Sequence, residues 1–176
     1  ALIWSALLLL LVGMVMVYSA SIAIAEAGRF TSHQPAYFLV RHGVFLGIGL
    51  VAAAFAFQIP LSLWQRYSPW LFMAGVVLLA VVLIPGLGRD VNGARRWLPL
   101  GFANLQPSEL MKLFAVLYAA DYTVRKMPVM HDLKQAFLPM FGAMVLVGML
   151  LLKEPDFGAF VVIISIAMGI LFLGGL

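Results

Sequence analysis

Residues 88–113, which read GRDVNGARRWLPLGFANLQPSELMKL, place a run of charged and turn-forming residues between two long apolar stretches. At the end of this run, Glu109 and Lys112 lie at the start of the apolar stretch that follows. Charged side chains inside a lipid bilayer are costly, and where they occur they usually serve a function. The segment therefore predicts a polar surface at a membrane boundary, with a candidate site beside it.

The rest of the 176-residue chain fixes the fold class, because 64% of its residues are hydrophobic and only 10% are charged. About 20 apolar residues are needed for a helix to cross the hydrocarbon core, and long apolar runs without alternation favour helices over a β-barrel. We predict an all-α polytopic membrane protein, with one transmembrane domain over residues 1–176. Its helices are expected at about residues 2–24, 38–57, 67–85, 108–124, 138–152 and 160–176.

Other features of the composition limit the partners and ligands. There is no cysteine, so disulfides and thiolate metal sites are excluded within this sequence. The three histidines, at positions 33, 42 and 131, are scattered and form no metal-ligand motif. A net charge of +4 suits anionic lipid head groups better than nucleic acid, for which no motif is present. The chain begins without methionine and stops inside an apolar run, which indicates a fragment.

The distribution of basic residues alone does not decide which end of the predicted helices faces the cytoplasm. If the helices alternate in direction, the positive-inside rule weakly favours a cytoplasmic position for the face that contains the 88–113 segment. An outer position would need a reason for so much arginine, and phosphate binding is one such reason. That face carries six basic residues against four on the other face; the six are Arg29, Arg41, Arg89, Arg95, Arg96 and Lys153.

Two arginines and a tryptophan follow a predicted turn at Asn92-Gly93. The planar fork of arginine suits the oxygens of a pyrophosphate, and Trp97 can stack on a sugar ring. The alternative is that Arg95 and Arg96 contact lipid head groups while Trp97 anchors the chain at the interface. The residues alone leave both interpretations open.

The predicted fourth helix begins around Pro107-Ser108 and carries Glu109 and Lys112 on one face, because they are three residues apart. They form either a local ion pair with a snorkelling lysine or a polar cavity in which Lys112 is available to a lipid phosphate. Farther along the helix, Asp121 and Arg125 are four residues apart and are predicted to form a structural pair.

The sequence Lys153-Glu154-Pro155-Asp156-Phe157-Gly158 separates the fifth and sixth helices and predicts a tight turn. On alternating helices it lies on the same side of the membrane as Arg95 and Arg96. The turn is either a simple polar hairpin or a place where Glu154 and Asp156 orient a basic partner or a sugar hydroxyl.

Together, NGARRWLPLGFANLQPSELMKL, DYTVRK and KEPDFGAFVV resemble the SEDS family of shape, elongation, division and sporulation proteins, and its cell-division branch more than its rod-elongation branch. The resemblance runs from about residue 37 to residue 176. It implies a ten-helix membrane fold, of which this chain has about the first six helices. It also implies a cytoplasmic N-terminus, which places Arg96 and Trp97 outside, against the charge count.

The resemblance implies a peptidoglycan glycosyltransferase that polymerises lipid II into glycan strands during septal wall synthesis. No catalytic residue is expected here, because the general-base aspartate of the family lies beyond Leu176. The residues matching the family's substrate-binding positions are Arg96, Trp97, Glu109 and Lys112, with Arg95, Glu154 and Asp156 in supporting positions.

A lipid II flippase and a division scaffold remain as alternative functions. The same cationic cavity would suit a flippase that passes lipid II across the membrane without chemistry, and a scaffold would lose partner binding, with polymer synthesis intact, when its exposed membrane-facing residues are changed. The resemblance further implies the bacterial cytoplasmic membrane, at the division site, as the location. The expected partners are a cognate class B penicillin-binding protein and other division proteins. A divalent cation is a candidate cofactor for the family, with no ligand cluster in this sequence.

Overall fold

The computed structural model describes residues 2–27, 34–91, 93–101 and 104–175. Arg29, His33, Asn92 and Leu176, on which some sequence predictions fall, lie outside the described residues. The described chain is mainly helical, with three short strands between the third and fourth long helices. The long helices are α1 Leu2–Ala27, α2 Tyr37–Gln58, α3 Leu61–Val82, α4 Pro107–Lys126, α5 Leu138–Lys153 and α6 Phe157–Leu173.

The chain divides into two compact units, Ala1–Ile59 and Pro60–Leu176. In the first unit, α1 and α2 pack against each other. Most of their apolar side chains are exposed, and α2 contains no buried residue. Such outward apolar surfaces are suited to lipid or to further membrane helices.

In the second unit, α4 packs against both α3 and α6, and α5 packs against α6. Small residues let these helices approach closely, as is common in membrane proteins. A Cβ atom on Gly148 would lie 2.7 Å from Cε2 of Phe160, and one on Gly75 would lie 2.5 Å from Sδ of Met111. The largest fully buried side chains of this core are Leu79, Met111, Met140, Met144, Leu151, Ile163 and Leu171.

The predicted helices agree with the structure in number, and their bounds differ most at α3. The structure starts this helix at Leu61, earlier than the predicted position 67. The reason is Pro60: a residue before proline is disfavoured in helical conformation, and Ile59 is extended, with φ −76° and ψ 123°. Therefore α2 ends at Gln58 and α3 begins directly after the proline.

Membrane spans can be assigned by length and composition to four segments of the described chain. The helix α6 is apolar but shorter, at 17 residues, and α4 carries charged residues at both ends. At the usual rise of an α-helix, the length of α6 still amounts to about 25 Å. The four segments are Ile3–Ala23, Tyr37–Gln58, Leu61–Val82 and Leu133–Lys153.

A three-stranded antiparallel sheet between α3 and α4 is an addition to the all-α fold that the sequence predicted. The strands are β1 Arg89–Val91, β2 Ala94–Pro99 and β3 Asn104–Leu105. Gly93 has a φ of 79° and Gly101 has a φ of 85°. Glycine thus supplies the left-handed backbone at both connections. The sheet stiffens the segment that carries Arg95, Arg96 and Trp97.

Candidate functional site

The two adjacent arginines of β2 point to opposite faces of the sheet, because side chains alternate along a strand. Arg95 lies opposite Asp90 in the register of β1 and β2, and its Nε donates to Oδ2 of Asp90 at 2.9 Å. The two side chains are 41% and 55% exposed respectively. An ion pair this exposed contributes little to stability. Arg95 is therefore engaged within the hairpin at little gain in stability, and Arg96 faces the other way.

Arg96 attaches the sheet to the turn between α5 and α6. Its Nε donates to the backbone oxygen of Glu154 at 3.1 Å, and its Nη2 donates to the backbone oxygen of Pro155. A guanidinium carries five N–H donors, and the others have no acceptor within the described residues. Arg96 can thus hold the turn and still offer donors and a positive charge to an anion.

Asp156 joins the start of α4 to the start of α6. Its Oδ1 accepts from the backbone N–H of Ala159 at 3.1 Å, which caps α6. Its Oδ2 accepts from Oγ of Ser108 at 2.9 Å and from Nε2 of Gln106 at 3.3 Å. Because Asp156 is buried and both oxygens are engaged, it positions these elements and is not free to accept a substrate proton.

Glu154, in the same turn, is fully buried, and neither carboxyl oxygen has a hydrogen-bond partner in the described part of the chain. Burial and then the neighbouring Asp156 charge raise the pKa of Glu154 to about 8, while the Arg96 charge opposes both. Burial has this effect because it disfavours the charged form of a carboxyl group. The group is therefore mostly protonated at neutral pH. Because Glu154 has no solvent exposure, it has no access to a substrate hydroxyl in this structure.

Glu109 and Lys112 form the local ion pair that their spacing allowed. Nζ of Lys112 lies 2.8 Å from Oε1 of Glu109, and the side chains are 30% and 59% exposed for Lys112 and Glu109 respectively. Neither Arg96 nor Trp97 is joined to this pair by a hydrogen bond within residues 93–101 and 104–175. Trp97 is half-buried. The cation is thus held near the surface of α4, one helical turn beyond Ser108.

The structure brings together some predicted residues and adds others. Arg96, Glu154 and Asp156 meet at one end of the second unit, while Arg95 lies on the far face of β2. Gln106 and Ser108 were missed as binding partners of Asp156. They are 50 and 48 residues from it in sequence, and no single-sequence pattern encodes such a contact.

No cluster of three or more candidate metal-ligating side chains occurs among the described residues. Asp156 is already engaged by three donors, and Glu154 is enclosed. The candidate divalent cation therefore has no ligand set in this part of the chain.

Sequence comparison identifies the family to which this arrangement belongs. A profile of the FtsW/RodA/SpoVE family, described as cell cycle proteins, matches residues 1–176. The chain belongs to this family. The resemblance inferred from the sequence motifs is thus confirmed.

A relative from Aromatoleum aromaticum, named as a probable peptidoglycan glycosyltransferase FtsW, is 66% identical over 175 residues. The match covers 99% of this chain and 43% of the relative. This chain therefore spans less than half the length of that relative.

Solved structures confirm the polytopic membrane fold. The rod shape determining protein RodA of Thermus thermophilus superposes with a TM-score of 0.72 and 30% identity, over 93% of this chain and 53% of that one. A chain from a peptidoglycan synthase complex that coordinates polymerization and crosslinking superposes with a TM-score of 0.68 and 30% identity, over 93% of this chain and 47% of that one.

Proposed function

We propose that the full-length protein carrying this sequence is a peptidoglycan glycosyltransferase that polymerises lipid II into glycan strands for septal cell-wall synthesis. The observation that carries the proposal is the 66% identity, over nearly the whole chain, to a relative named for this activity. The positions of Arg96 and Lys112 fit the charge requirements of the reaction.

The reaction requires a base and a stabilised leaving group. The 4-hydroxyl oxygen of the acceptor attacks the anomeric carbon of the donor, and the bond from that carbon to the pyrophosphate oxygen breaks. The hydroxyl proton passes to a general base, and the departing undecaprenyl pyrophosphate keeps the electron pair of the broken bond. Cations aimed at the pyrophosphate would stabilise the developing charge.

In this proposal, Arg96 is a pyrophosphate ligand that is fixed in place before substrate arrives. Two of its N–H groups already hold the backbone of Glu154 and Pro155. An anchored guanidinium loses little side-chain entropy on binding, and its fork suits phosphate oxygens. The β2 strand and the α5–α6 turn together would set its direction.

Lys112 is the second cation of the proposed site. Its ammonium group is held at 2.8 Å from the Glu109 carboxylate. A surface pair of this kind is weak, so the lysine can exchange its partner for a phosphate oxygen at small cost. Before the exchange, Glu109 positions Lys112 through this pair, and Trp97 shapes the sugar site.

The remaining predicted residues have supporting roles in the proposal. Asp156 fastens α4 to α6, and Glu154 fills the space beneath the turn as a neutral acid. The general base is expected beyond Leu176, as the family resemblance implies, and no residue of this chain is assigned to that role.

The partners and location are proposed on the same basis. The similar chain from a peptidoglycan synthase complex supports assembly with a transpeptidase, which we infer to be a class B penicillin-binding protein. The chain is a multi-pass membrane protein by its helices and family. We propose the bacterial cytoplasmic membrane at the division site, with other division proteins nearby and lipid II as substrate.

The test is glycan synthesis from labelled lipid II by the full-length protein, purified with its cognate transpeptidase. Arg96→Ala should lower the rate by about 10²-fold or more, the typical cost of removing one group that stabilises transition-state charge. Lys153→Ala is the matched control, because it removes an exposed cation from the same turn. Arg96→Lys keeps the charge without the fork and should retain part of the activity.

Polymer from the wild type that is lost only on changing Arg96 would support both the activity and the site. Polymer that persists in Arg96→Ala would remove Arg96 from the mechanism while leaving the activity intact. Lipid II binding without polymer, under conditions in which another family enzyme works, would favour the lipid transporter instead.

A further inference from the structure

A polar pocket lies at the ends of α3 and α4 that are far from the sheet. It has a volume of about 380 Å³. Arg66 of α3 and Arg125 of α4 both line it, so each of the two helices contributes one arginine. The lining residues are Ser62, Gln65, Arg66, Pro69, Asp121 and Arg125.

The acidic group in this pocket, the carboxylate of Asp121, is already paired with a basic side chain. Oδ2 of Asp121 accepts from Nε of Arg125 at 2.8 Å and lies 2.9 Å from Oγ of Ser68. The Asp121 side chain is only 5% exposed, whereas the Arg125 side chain is 50% exposed. Asp121 thus fixes the position of Arg125 through this ion pair, and half of the Arg125 side chain stays exposed.

Arg66 supplies positive charge that the protein does not balance. It is exposed, and it forms no ion pair within the described ranges 34–91, 93–101 and 104–175. With one aspartate and two arginines, the pocket has a formal charge of +1. A pocket with this charge would attract an anion.

An apolar groove adjoins the polar pocket, because both are lined by Gln65 and Asp121. The groove has a volume of about 200 Å³. Its other lining residues are Leu61, Trp64, Leu117, Ala120 and Val124. A free phosphate would have no use for this surface, whereas a lipid has an acyl chain to place there.

Pro69 lies inside α3 and lines the polar pocket, where it leaves one backbone carbonyl without its usual donor. Pro69 lacks the N–H that would bond to the carbonyl of Gln65, so that oxygen needs another donor. Oγ of Ser68 lies 3.1 Å from it and 2.9 Å from Asp121, within reach of both acceptors. Ser68 therefore connects the backbone of α3 to the Asp121–Arg125 ion pair of α4.

We propose that this amphipathic pocket binds an anionic phospholipid, with the phosphate at Arg66 and Arg125 and an acyl chain along the apolar groove. Basic pockets between membrane helices are suited to anionic head groups. The site lies at the other end of α4 from the proposed lipid II site. It adds a structural lipid to the protein, independently of the enzymatic activity.

The experiment measures phosphatidylglycerol retained by the full-length protein in native mass spectrometry, with phosphatidylcholine, which is zwitterionic and has no net charge, as the comparison. Arg66→Gln should weaken phosphatidylglycerol binding about fivefold, the typical effect of one basic residue on an anionic lipid. Lys126→Gln is the matched control, because it removes a charge from the same end of α4 without lining either pocket. Equal loss in both variants would overturn the proposal.

The apolar half is tested separately. Ala120→Phe would fill the groove and should displace the lipid while leaving every charge in place. Leu113→Phe puts the same ring on an exposed position of α4 outside the groove and should not. Unchanged retention in Ala120→Phe, or release of the lipid by millimolar inorganic phosphate, would refute the lipid assignment.

Discussion

Glu154 offers the sharpest test of the geometry at the α5–α6 turn. Its carboxyl group is fully buried without a hydrogen-bond partner in the described residues, and its pKa is raised from 4.5 to about 8. The folded protein therefore binds a proton that the unfolded chain releases between these pH values. The free energy of unfolding has its full value below pH 4.5 and falls as the pH rises toward 8.

The size of the change in the free energy of unfolding follows from the shift in the pKa of Glu154. One pKa unit corresponds to about 1.36 kcal/mol, so this group lowers the free energy of unfolding by about 3 kcal/mol between pH 5 and pH 7.5. Glu154→Gln has nearly the same shape and stays neutral at every pH. The variant should therefore gain stability over the wild type by about 3 kcal/mol across that interval.

The assay is reversible denaturant unfolding of the full-length protein in detergent at several pH values. Infrared difference spectra between wild type and Glu154→Gln should also show a protonated carboxyl band with a midpoint near 8. Glu109→Gln is the control, because it makes the same substitution at a side chain that is 59% exposed. A stability difference that stays constant with pH, or a carboxyl band that titrates near 4.5, would show that Glu154 is solvated.

Three further substitutions, one of them with a matched glycine control, separate mechanism from packing. Lys112→Ala should abolish polymer synthesis with normal membrane insertion, measured on protein recovered from membranes, whereas normal synthesis would remove Lys112 from the site. Asp121→Asn weakens the contacts to Ser68 and Arg125 and should lower the free energy of unfolding by about 1–3 kcal/mol; a stable but inactive protein would contradict this structural role. Gly148→Leu would collide with Phe160 and should lower the free energy of unfolding by about 1–3 kcal/mol. Gly142→Leu has open space around its Cβ and should lower it less. Equal thermal stability of the two glycine variants would argue against the α5–α6 packing.

Local patterns in the sequence predicted local structure well. Long apolar runs predicted the helices, and the four-residue spacing predicted the Asp121–Arg125 pair, which is confirmed at 2.8 Å. The three-residue spacing of Glu109 and Lys112 left an ion pair and a polar cavity open, and the structure shows the ion pair at 2.8 Å. The start of α3 was placed too late, because Leu61–Arg66 is less apolar than the rest of the helix. Pro60 was the signal that would have corrected it.

The structure of the candidate site was beyond the reach of these patterns. The strands contain three, six and two residues. β1 and β3 hold too few residues for an alternating pattern, and β2, which reads ARRWLP, does not alternate apolar with polar residues. Arg96 reaches Glu154 and Pro155, which are 58 and 59 residues later. Such contacts depend on how α5 and α6 return to the sheet, and that arrangement follows from packing of the whole unit.

The middle of α4 bears on the choice between an enzyme and a lipid transporter. Lys112 and Asp121 are nine residues apart, about 14 Å along the helix. The residues between them are apolar except for Tyr118, whose ring is stacked on Phe72 at 4.4 Å. The two polar ends of α4 are therefore separated along this helix by a segment with no charged group. A pyrophosphate moving between them along α4 would lose its counter-charges for that distance, which favours chemistry at one end over passage between both.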